Sequence, residues 1–364
     1  MFRRFPVADL GQLDPKRICL IKPSALGDVV QVLPLLPILR RQFPRAEISW
    51  VINKELRDLV EGHPALDESI LFERRGGWSA WARLLTTLRQ RRFDLVLDFQ
   101  GLLRTGVMTL ATAAKVRVGL QTAREGSRYS LNCILPDTNR DQPAHARYWR
   151  LAELMGLGDL PRETSVAIPE ADLTWAEDKI RQLPRPIMAV HPGARWVTKR
   201  WPVPKFAELL TRAGHSWQGS VLVLGSKAER PDADQLTRQI KENRGGKNSM
   251  EVMNLAGEST LKQLAALLAR VDVVISNDSG PLHLSAGMGT PTLGIFTCTS
   301  AIRSGPPGSQ HEMVSTMVDC AASYHKVCPH RGTDHLACMR ELDVERVWMA
   351  LQRLVTRAGQ TQTL

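Results

Sequence analysis

The feature that most limits the fold of this chain is an alternation of short apolar strand patterns with longer helical ones. It runs once, breaks, and runs again. In the first run the strand patterns are Arg17–Lys22, Glu47–Ile52, Ser69–Phe72 and Asp94–Phe99. Helical spacing covers Gly27–Phe43, Trp78–Arg92, Leu102–Ala114 and Ala144–Leu157. Strands separated by helices imply βαβ units and a parallel sheet. The pattern breaks around Thr164–Pro169, and a helix at Ala171–Leu183 leads to Pro184 and Pro186. The second run has strands at Ile187–His191, Ser220–Leu224, Val252–Ala256, Val273–Ser276 and Thr292–Phe296. Its helices are Val203–Gly214, Pro231–Arg244, Thr260–Val271, Pro281–Met288 and a final one from Val344. A polar loop is expected at Arg244–Ser249. The chain therefore reads as an α/β protein with two Rossmann-like halves facing a cleft. The expected division is 1–170, 171–342 and a C-terminal helix and tail at 343–364. At about 100–200 residues per domain, 364 residues fit two.

Composition narrows the class further. Apolar residues make up 43% and charged ones 23%, which excludes disorder and disulfide-stapled mini-proteins. Lys and Arg exceed Asp and Glu, 48 to 37, for a net charge of +11. That surplus asks for an anionic partner and leaves nucleic acid, a membrane surface and a phosphorylated substrate all open. Met1–Gly11 holds Arg3 and Arg4 but no apolar run of signal-peptide length, and no stretch has the length of a membrane span. A cytosolic protein with free thiols is expected, with Cys19 and Cys133 as core residues.

Three strand-to-helix segments carry chemistry. In Lys22-Pro23-Ser24-Ala25-Leu26-Gly27-Asp28, Gly27 permits close backbone approach and Asp28 falls in the first helical turn. Spacing alone leaves Ser24 and Asp28 as either caps or cleft-facing groups, with Asp28 as a general base in the second case. The segment lacks GxGxxG, which argues against a dinucleotide site. In the second segment, His191 to Pro202, Lys199 and Arg200 stand between Trp196 and Trp201. Such a loop holds phosphate by charge and offers an aromatic face to a base or sugar, unless it is only a solvated charge pair. The third, Ile275 to His283, runs from a strand through Asn277, Asp278, Ser279 and Gly280 into a helix at Pro281. A helix start of this kind binds diphosphate through free N–H groups. His283 lies one turn in, where a structural role is the alternative. In the tail, Cys320, Cys328 and Cys338 stand near His325, His330 and His335, but no CxxC pair supports a zinc template.

Taken together these segments resemble family 9 glycosyltransferases, the bacterial lipopolysaccharide heptosyltransferases, over nearly the whole chain. The resemblance rests on Ser24, Leu26, Gly27 and Asp28; on Asp98-Phe99-Gln100-Gly101 with Arg104; and on His145-Ala146-Arg147-Tyr148. It rests most specifically on Lys199-Arg200-Trp201-Pro202 followed by Asp278-Ser279-Gly280-Pro281-Leu282-His283, with Thr297–Gly308 and the Cys-bearing tail beside them. It implies a GT-B fold, with an acceptor-binding N-terminal domain and a sugar-nucleotide-binding C-terminal one. It implies inverting transfer of a heptose from ADP-heptose to the lipopolysaccharide inner core, without a metal or other cofactor. By the same resemblance Asp28 is the general base. Lys199 binds the donor and steadies the leaving diphosphate, Arg200 binds the donor beside it, and Asp278, Ser279, Gly280 and His283 hold the donor's sugar and phosphates. Glu229 contacts the ribose, and Ser24, Gly27, Arg104 and His145 meet the acceptor. Ala194 and Arg195 depart from the hydroxyl residues some members carry ahead of the lysine. The implied partner is a lipid-linked core acceptor, with peripheral contact to an anionic inner-membrane surface; the basic helix at 78–92 is the candidate to meet either the membrane or the acceptor. The alternatives are a transferase or epimerase of the same fold using another NDP-sugar, and a basic nucleic-acid-binding protein. The second is disfavoured because Lys and Arg are spread along the chain without aromatic interleaving. A catalytically idle scaffold is disfavoured by the retention of Asp28, Lys199 and Asp278.

Overall fold

The computed structural model describes residues 4–243 and 250–361. The loop expected at Arg244–Ser249 lies outside the described residues. The chain divides into two compact units, Met1–Ala167 and Ile168–Leu364. The first contains β1 (Arg17–Ile21), β2 (Glu47–Asn53), β3 (Glu68–Phe72), β4 (Leu95–Asp98), β5 (Val116–Leu120) and β6 (Cys133–Leu135). The second contains β7 (Ile187–His191), β8 (Ser220–Val223), β9 (Glu251–Asn254), β10 (Val273–Asn277), β11 (Thr292–Phe296) and β12 (Glu312–Ser315). Each unit forms one six-stranded sheet, in the orders β3-β2-β1-β4-β5-β6 and β12-β11-β10-β7-β8-β9. All pairings are parallel. Allowing for chain order, the two sheets are the same doubly wound sheet made twice. Each reverses direction between its first and fourth strands, at β1/β4 and at β7/β10. In an open α/β sheet a crevice opens at the carboxyl ends of such a pair.

The strands read as almost unbroken apolar runs because helices cover both faces of a parallel sheet. Ile18, Cys19, Leu20 and Ile21 of β1 are fully buried, as are Met188, Ala189 and Val190 of β7. One core of the N-terminal unit joins Cys19, Ile21, Val51, Val96 and Met108 to Leu84 and Leu88 of the helix Gly77–Gln90. In the C-terminal unit, the helix Val203–Ala213 and the last helix, Val344–Thr361, add Phe206, Leu210, Val347 and Leu351 to the strand side chains.

Several elements differ from the sequence expectation. The helix expected over Gly27–Phe43 is two, Leu26–Val32 and Leu35–Gln42. Pro34 stands at the break, where it has no amide to continue the ladder. Strands β5 and β12 were not expected. Arg117 disguises β5, yet it is buried, donating to the carbonyls of Ser130 (2.7 Å) and Ala114 (2.6 Å). The unit boundary falls at 167/168, and the final helix packs on the C-terminal unit. Cys19 and Cys133 are buried free thiols. Among the described residues no helix is long and apolar enough to cross a membrane.

Backbone closeness at the start of β8 gives a stability test. A Cβ on Gly219 would sit 1.7 Å from the carbonyl oxygen of Pro186, the same oxygen that accepts the Ser220 amide at 3.0 Å. Gly219→Ala should destabilise the chain by about 3 kcal/mol, the upper end of overpacking costs. Denaturant melts showing wild-type stability would contradict this packing.

Candidate functional site

The N-terminal unit builds one charged cluster where β1 ends. Lys22 follows the strand and is only 3% exposed, yet its ammonium lies 3.3 Å from Oδ2 of Asp28, which is 38% exposed. The Ala25 amide donates to the same oxygen at 3.3 Å, and the Tyr148 hydroxyl donates to Oδ1 at 3.1 Å. Tyr148 comes from the helix Ala144–Leu154, which packs against the helix Leu26–Val32. Its ring lies 5.8 Å from that of Phe99 and 5.5 Å from the Lys22 ammonium. The neighbouring strands hold the loop in place. Trp50 of β2 donates its indole N–H to the Lys22 carbonyl, and the Ser24 amide donates to the Gln100 side chain. Gln100 is in turn set by Asp98 at the tip of β4, whose Oδ1 accepts the Gln100 and Gly101 amides at 3.0 Å each.

These contacts decide which groups are charged. Burial works against the Lys22 ammonium, but the facing Asp28 carboxylate and Tyr148 outweigh it, and its pKa is raised. Enclosure likewise opposes the charge on Asp28. The Lys22 ammonium, the Ala25 amide and the Tyr148 hydroxyl prevail, and the carboxyl is held below its ordinary range. The modest elevation that a carboxylate base invites is thus not what this site shows. Tyr148 is pushed up to about 12, first by burial and then by the Asp28 charge, so it stays a phenol and a donor. Asp98 moves the other way. Burial pushes it up despite the amides and the Thr105 hydroxyl around it. The cluster therefore offers one half-exposed carboxylate whose ionised form its neighbours favour.

The C-terminal unit builds the second cluster at β7/β10. Lys199 ends a short helical turn, Val197–Lys199, and its ammonium lies 2.7 Å from Oδ2 of Asp278 just beyond β10. Thr299 donates to that oxygen at 2.6 Å, and His283 Nε2 is 3.7 Å from Oδ1. Burial opposes the Asp278 charge, but hydrogen bonding from His283 and the Lys199 ammonium hold its carboxyl far below the ordinary range. Thr198 anchors the turn by donating to the His325 carbonyl (2.7 Å), while its own carbonyl accepts from Thr297 (2.6 Å). Ser279 occupies the N-cap position of the helix Gly280–Gly287 without a side-chain cap bond, and the first amides of a helix have no partner within it. Its hydroxyl lies 3.2 Å from His191 Nδ1, and His191 Nε2 lies 3.5 Å from Glu229. The His191 hydrogen bond leads in holding Glu229 down to about 2, with the Ser226 amide and hydroxyl (2.8 Å each) helping to overcome burial. A Cβ at 193 would lie 2.1 Å from the Glu229 carboxylate, so a larger residue there would displace it.

Most of the residues expected from sequence are gathered in these two clusters. Asp28, Ser24 and Gly27 share the first, with His145 one turn before Tyr148 and its Nδ1 3.1 Å from Arg162. Arg104 stands exposed on the helix Leu103–Ala111. Lys199, Glu229, Asp278, Ser279, Gly280 and His283 share the second. Arg200 braces the loop, with Nε donating to the Ala194 carbonyl (2.7 Å) and Nη1 3.7 Å from Asp232. Of the two tryptophans expected to offer a stacking face, Trp201 does not. It is completely buried against Phe206, its amide bonded to Asn277 and its indole to the Leu342 carbonyl. Trp196 keeps that capacity, with the Lys199 ammonium 4.7 Å from its ring. On the basic helix, Arg91 is bound to Glu68 and so is less available than its sequence position suggests. Sequence reading assigned no role to Lys22, Tyr148, Thr299 or His191. Among the described residues no group of three or more His, Cys, Asp or Glu side chains is arranged to hold a metal ion.

Comparison with known proteins places this geometry. Residues 81–333 match glycosyltransferase family 9 (heptosyltransferase). The lipopolysaccharide core heptosyltransferase OpsX of Haemophilus influenzae is 27% identical over 303 residues, covering 83% of this chain and 84% of the relative. The crystal structure of the glycosyl transferase family 9 from Veillonella parvula superposes with a TM-score of 0.77 at 22% identity, covering 95% and 98% of the two chains. The E. coli ADP-heptose lps heptosyltransferase II gives a TM-score of 0.72 at 21% identity, covering 94% and 99%. Two doubly wound sheets, each with a charged cluster where its strand order reverses, and a family match over most of the length lead to one assignment: the chain is a glycosyltransferase of family 9, the heptosyltransferase family.

Proposed function

We propose that this enzyme is an inverting transferase that moves a heptose from ADP-heptose to the inner core of lipopolysaccharide. Asp28 is its general base. The observation that carries the reading is the exposed, ionised Asp28 backed by buried Lys22. The relatives named for lipopolysaccharide core and for ADP-heptose supply the substrate class. The acceptor hydroxyl donates to Asp28 and loses its proton as the new glycosidic bond forms. Tyr148 and the Ala25 amide hold the carboxylate's orientation during that step. Ser24, Gly27, Arg104 and His145 contact the acceptor, whose phosphates and carboxylates suit Arg104.

The donor is held by the C-terminal unit. Negative charge grows on the leaving diphosphate, and preorganised positive groups are most effective where charge develops. Lys199, Arg200 and the amides of Ser279 and Gly280 at the helix start are such groups, and they do the work a divalent cation does in other phosphate chemistry. Asp278 and His283 fix Lys199 and the helix start. Ionised Glu229 accepts from ribose hydroxyls. One exposed carboxylate is what a single displacement needs, whereas a double displacement requires a second carboxylate as nucleophile. The enzyme works in the cytoplasm, at the inner face of the membrane that carries its acceptor.

Three outcomes test this reading. Asp28→Asn should lower kcat roughly 10²–10⁴-fold, while calorimetry finds ADP affinity unchanged; normal turnover would remove Asp28 from the reaction. Lys22→Met takes away the charge that lowers the Asp28 pKa and leaves the enclosure that raises it. The acidic limb of the kcat/KM profile should therefore move to higher pH, and an unmoved or lowered limb would contradict the pairing. Lys199→Ala should raise the donor Kd and lower kcat by roughly 10²–10³-fold, the usual cost of losing one group that stabilises developing charge; unchanged kinetics would place the diphosphate elsewhere.

A further inference from the structure

The exposed large apolar side chains of the N-terminal unit are not scattered. Among the described residues they are Trp78, Leu103, Val107, Leu110 and Tyr129. They lie on three elements in contact: the helix Gly77–Gln90, the helix Leu103–Ala111, and the turn Ser127–Ser130. On the middle helix Leu103, Val107 and Leu110 recur at helical spacing on the outer side, while Thr105, Gly106, Met108 and Thr109 face inward. A solvent-facing stripe normally carries polar side chains. This one carries branched aliphatics, with Trp78 88% and Tyr129 85% exposed beside it. Contiguous apolar surface of this kind marks an interaction site.

The surrounding charge says what it meets. Arg89 stands exposed on the first helix, Arg104 in the stripe itself, and Lys115, Arg124 and Arg128 beyond it. In residues 101–130 the lone acidic residue is Glu125, which is taken up by the Leu103 amide (3.3 Å) and Arg124 (3.9 Å). Exposed apolar side chains with cations on the same and adjoining elements, and Trp and Tyr beside them, match an anionic bilayer interface. Aliphatics enter the acyl boundary, the aromatic rings sit among headgroups, and the arginines meet lipid charge. The first two elements begin just after β3 and β4, at the sheet edge from which Lys22 and Asp28 project.

We propose that the outer face of Leu103–Ala111, with Trp78 and Tyr129, docks the N-terminal unit on an anionic lipid bilayer. The proposal deepens the reading of a lipid-linked acceptor and rests on it for its biological sense. Its test uses bare lipid, so the two fail separately.

The full chain is sedimented with vesicles containing phosphatidylglycerol and with vesicles of phosphatidylcholine alone. The wild type should bind the anionic vesicles at least about tenfold more tightly, in line with attraction of several basic residues to such a surface. V107E/L110E should lose about tenfold or more of that binding, since carboxylates now face the acyl boundary. It should retain the wild-type melting curve and wild-type transfer to a soluble, deacylated acceptor. Met349→Glu, which changes an exposed apolar residue of the C-terminal unit, should bind as the wild type does. Equal or absent binding of the wild type to the two vesicles would overturn the proposal, and so would unimpaired binding by V107E/L110E. A change in oligomeric state in that variant without a change in vesicle binding would instead identify the face as a contact between copies, and would also overturn it. Failure of even the wild type to transfer heptose would overturn the reading of function and leave the lipid result standing.

Discussion

An ammonium set against a carboxylate where the first strand of a parallel sheet ends is the interaction on which each half of this enzyme depends. It occurs twice with its roles exchanged. In the Lys22–Asp28 pair the lysine is 3% exposed and the aspartate 38%; in the Lys199–Asp278 pair the lysine is 18% exposed and the aspartate 5%. In the proposed function the buried member is the support and the exposed member meets the ligand. In the N-terminal unit a hidden cation favours the ionised form of a more exposed carboxylate. In the C-terminal unit a hidden carboxylate holds a more exposed ammonium in place. Burying either charge alone is costly, and removing one member of a buried pair typically costs about 3–5 kcal/mol. The rest of each cluster follows from that constraint. Tyr148, the Ala25 amide, Thr299 and His283 satisfy the remaining positions around the carboxylates.

Sheet topology explains why the pairs stand where they do. Strand order reverses at β1/β4 and at β7/β10, so the loops after those strands diverge and leave room at the sheet edge. Each crevice is then lined from both sides. Gln100 after β4 steadies the loop after β1, and Asn277 at the end of β10 ties Trp201 to the Pro192 carbonyl after β7. The loops proposed to carry the chemistry are fixed by residues to which no step of it is assigned.

Much of this was legible in the sequence, for local reasons. The two runs of strand and helix patterns announced two parallel sheets. Asp28, Lys199, Asp278 and His283 stood out because each lies on a strand-to-helix turn, where ligands bind and where spacing along the chain is also spacing in space. What stayed hidden depends on contacts across the fold. Lys22 looked like a polar end to an apolar strand, and nothing local shows that it is buried. Tyr148 meets Asp28 across 120 positions, a contact created by one helix packing on another. Thr299 reaches Asp278 only because β11 lies beside β10. Trp201 was misread for the converse reason: a tryptophan next to Lys199 and Arg200 suggests a stacking surface, while the fold uses it as a core plug. Arg117 concealed β5 in the same way, because its buried guanidinium is paid for by carbonyls that only the tertiary structure supplies.

The central claim is that buried Lys22 holds the Asp28 carboxyl below the ordinary aspartate range, where the proposed base is ionised at neutral pH. Its most direct test is the titration of the Asp28 carboxyl carbon by ¹³C NMR in the free, folded enzyme. The account predicts that this resonance titrates below the ordinary aspartate range and stays in its ionised position from there through neutral pH. A carboxyl that titrates at or above the ordinary aspartate value would contradict it.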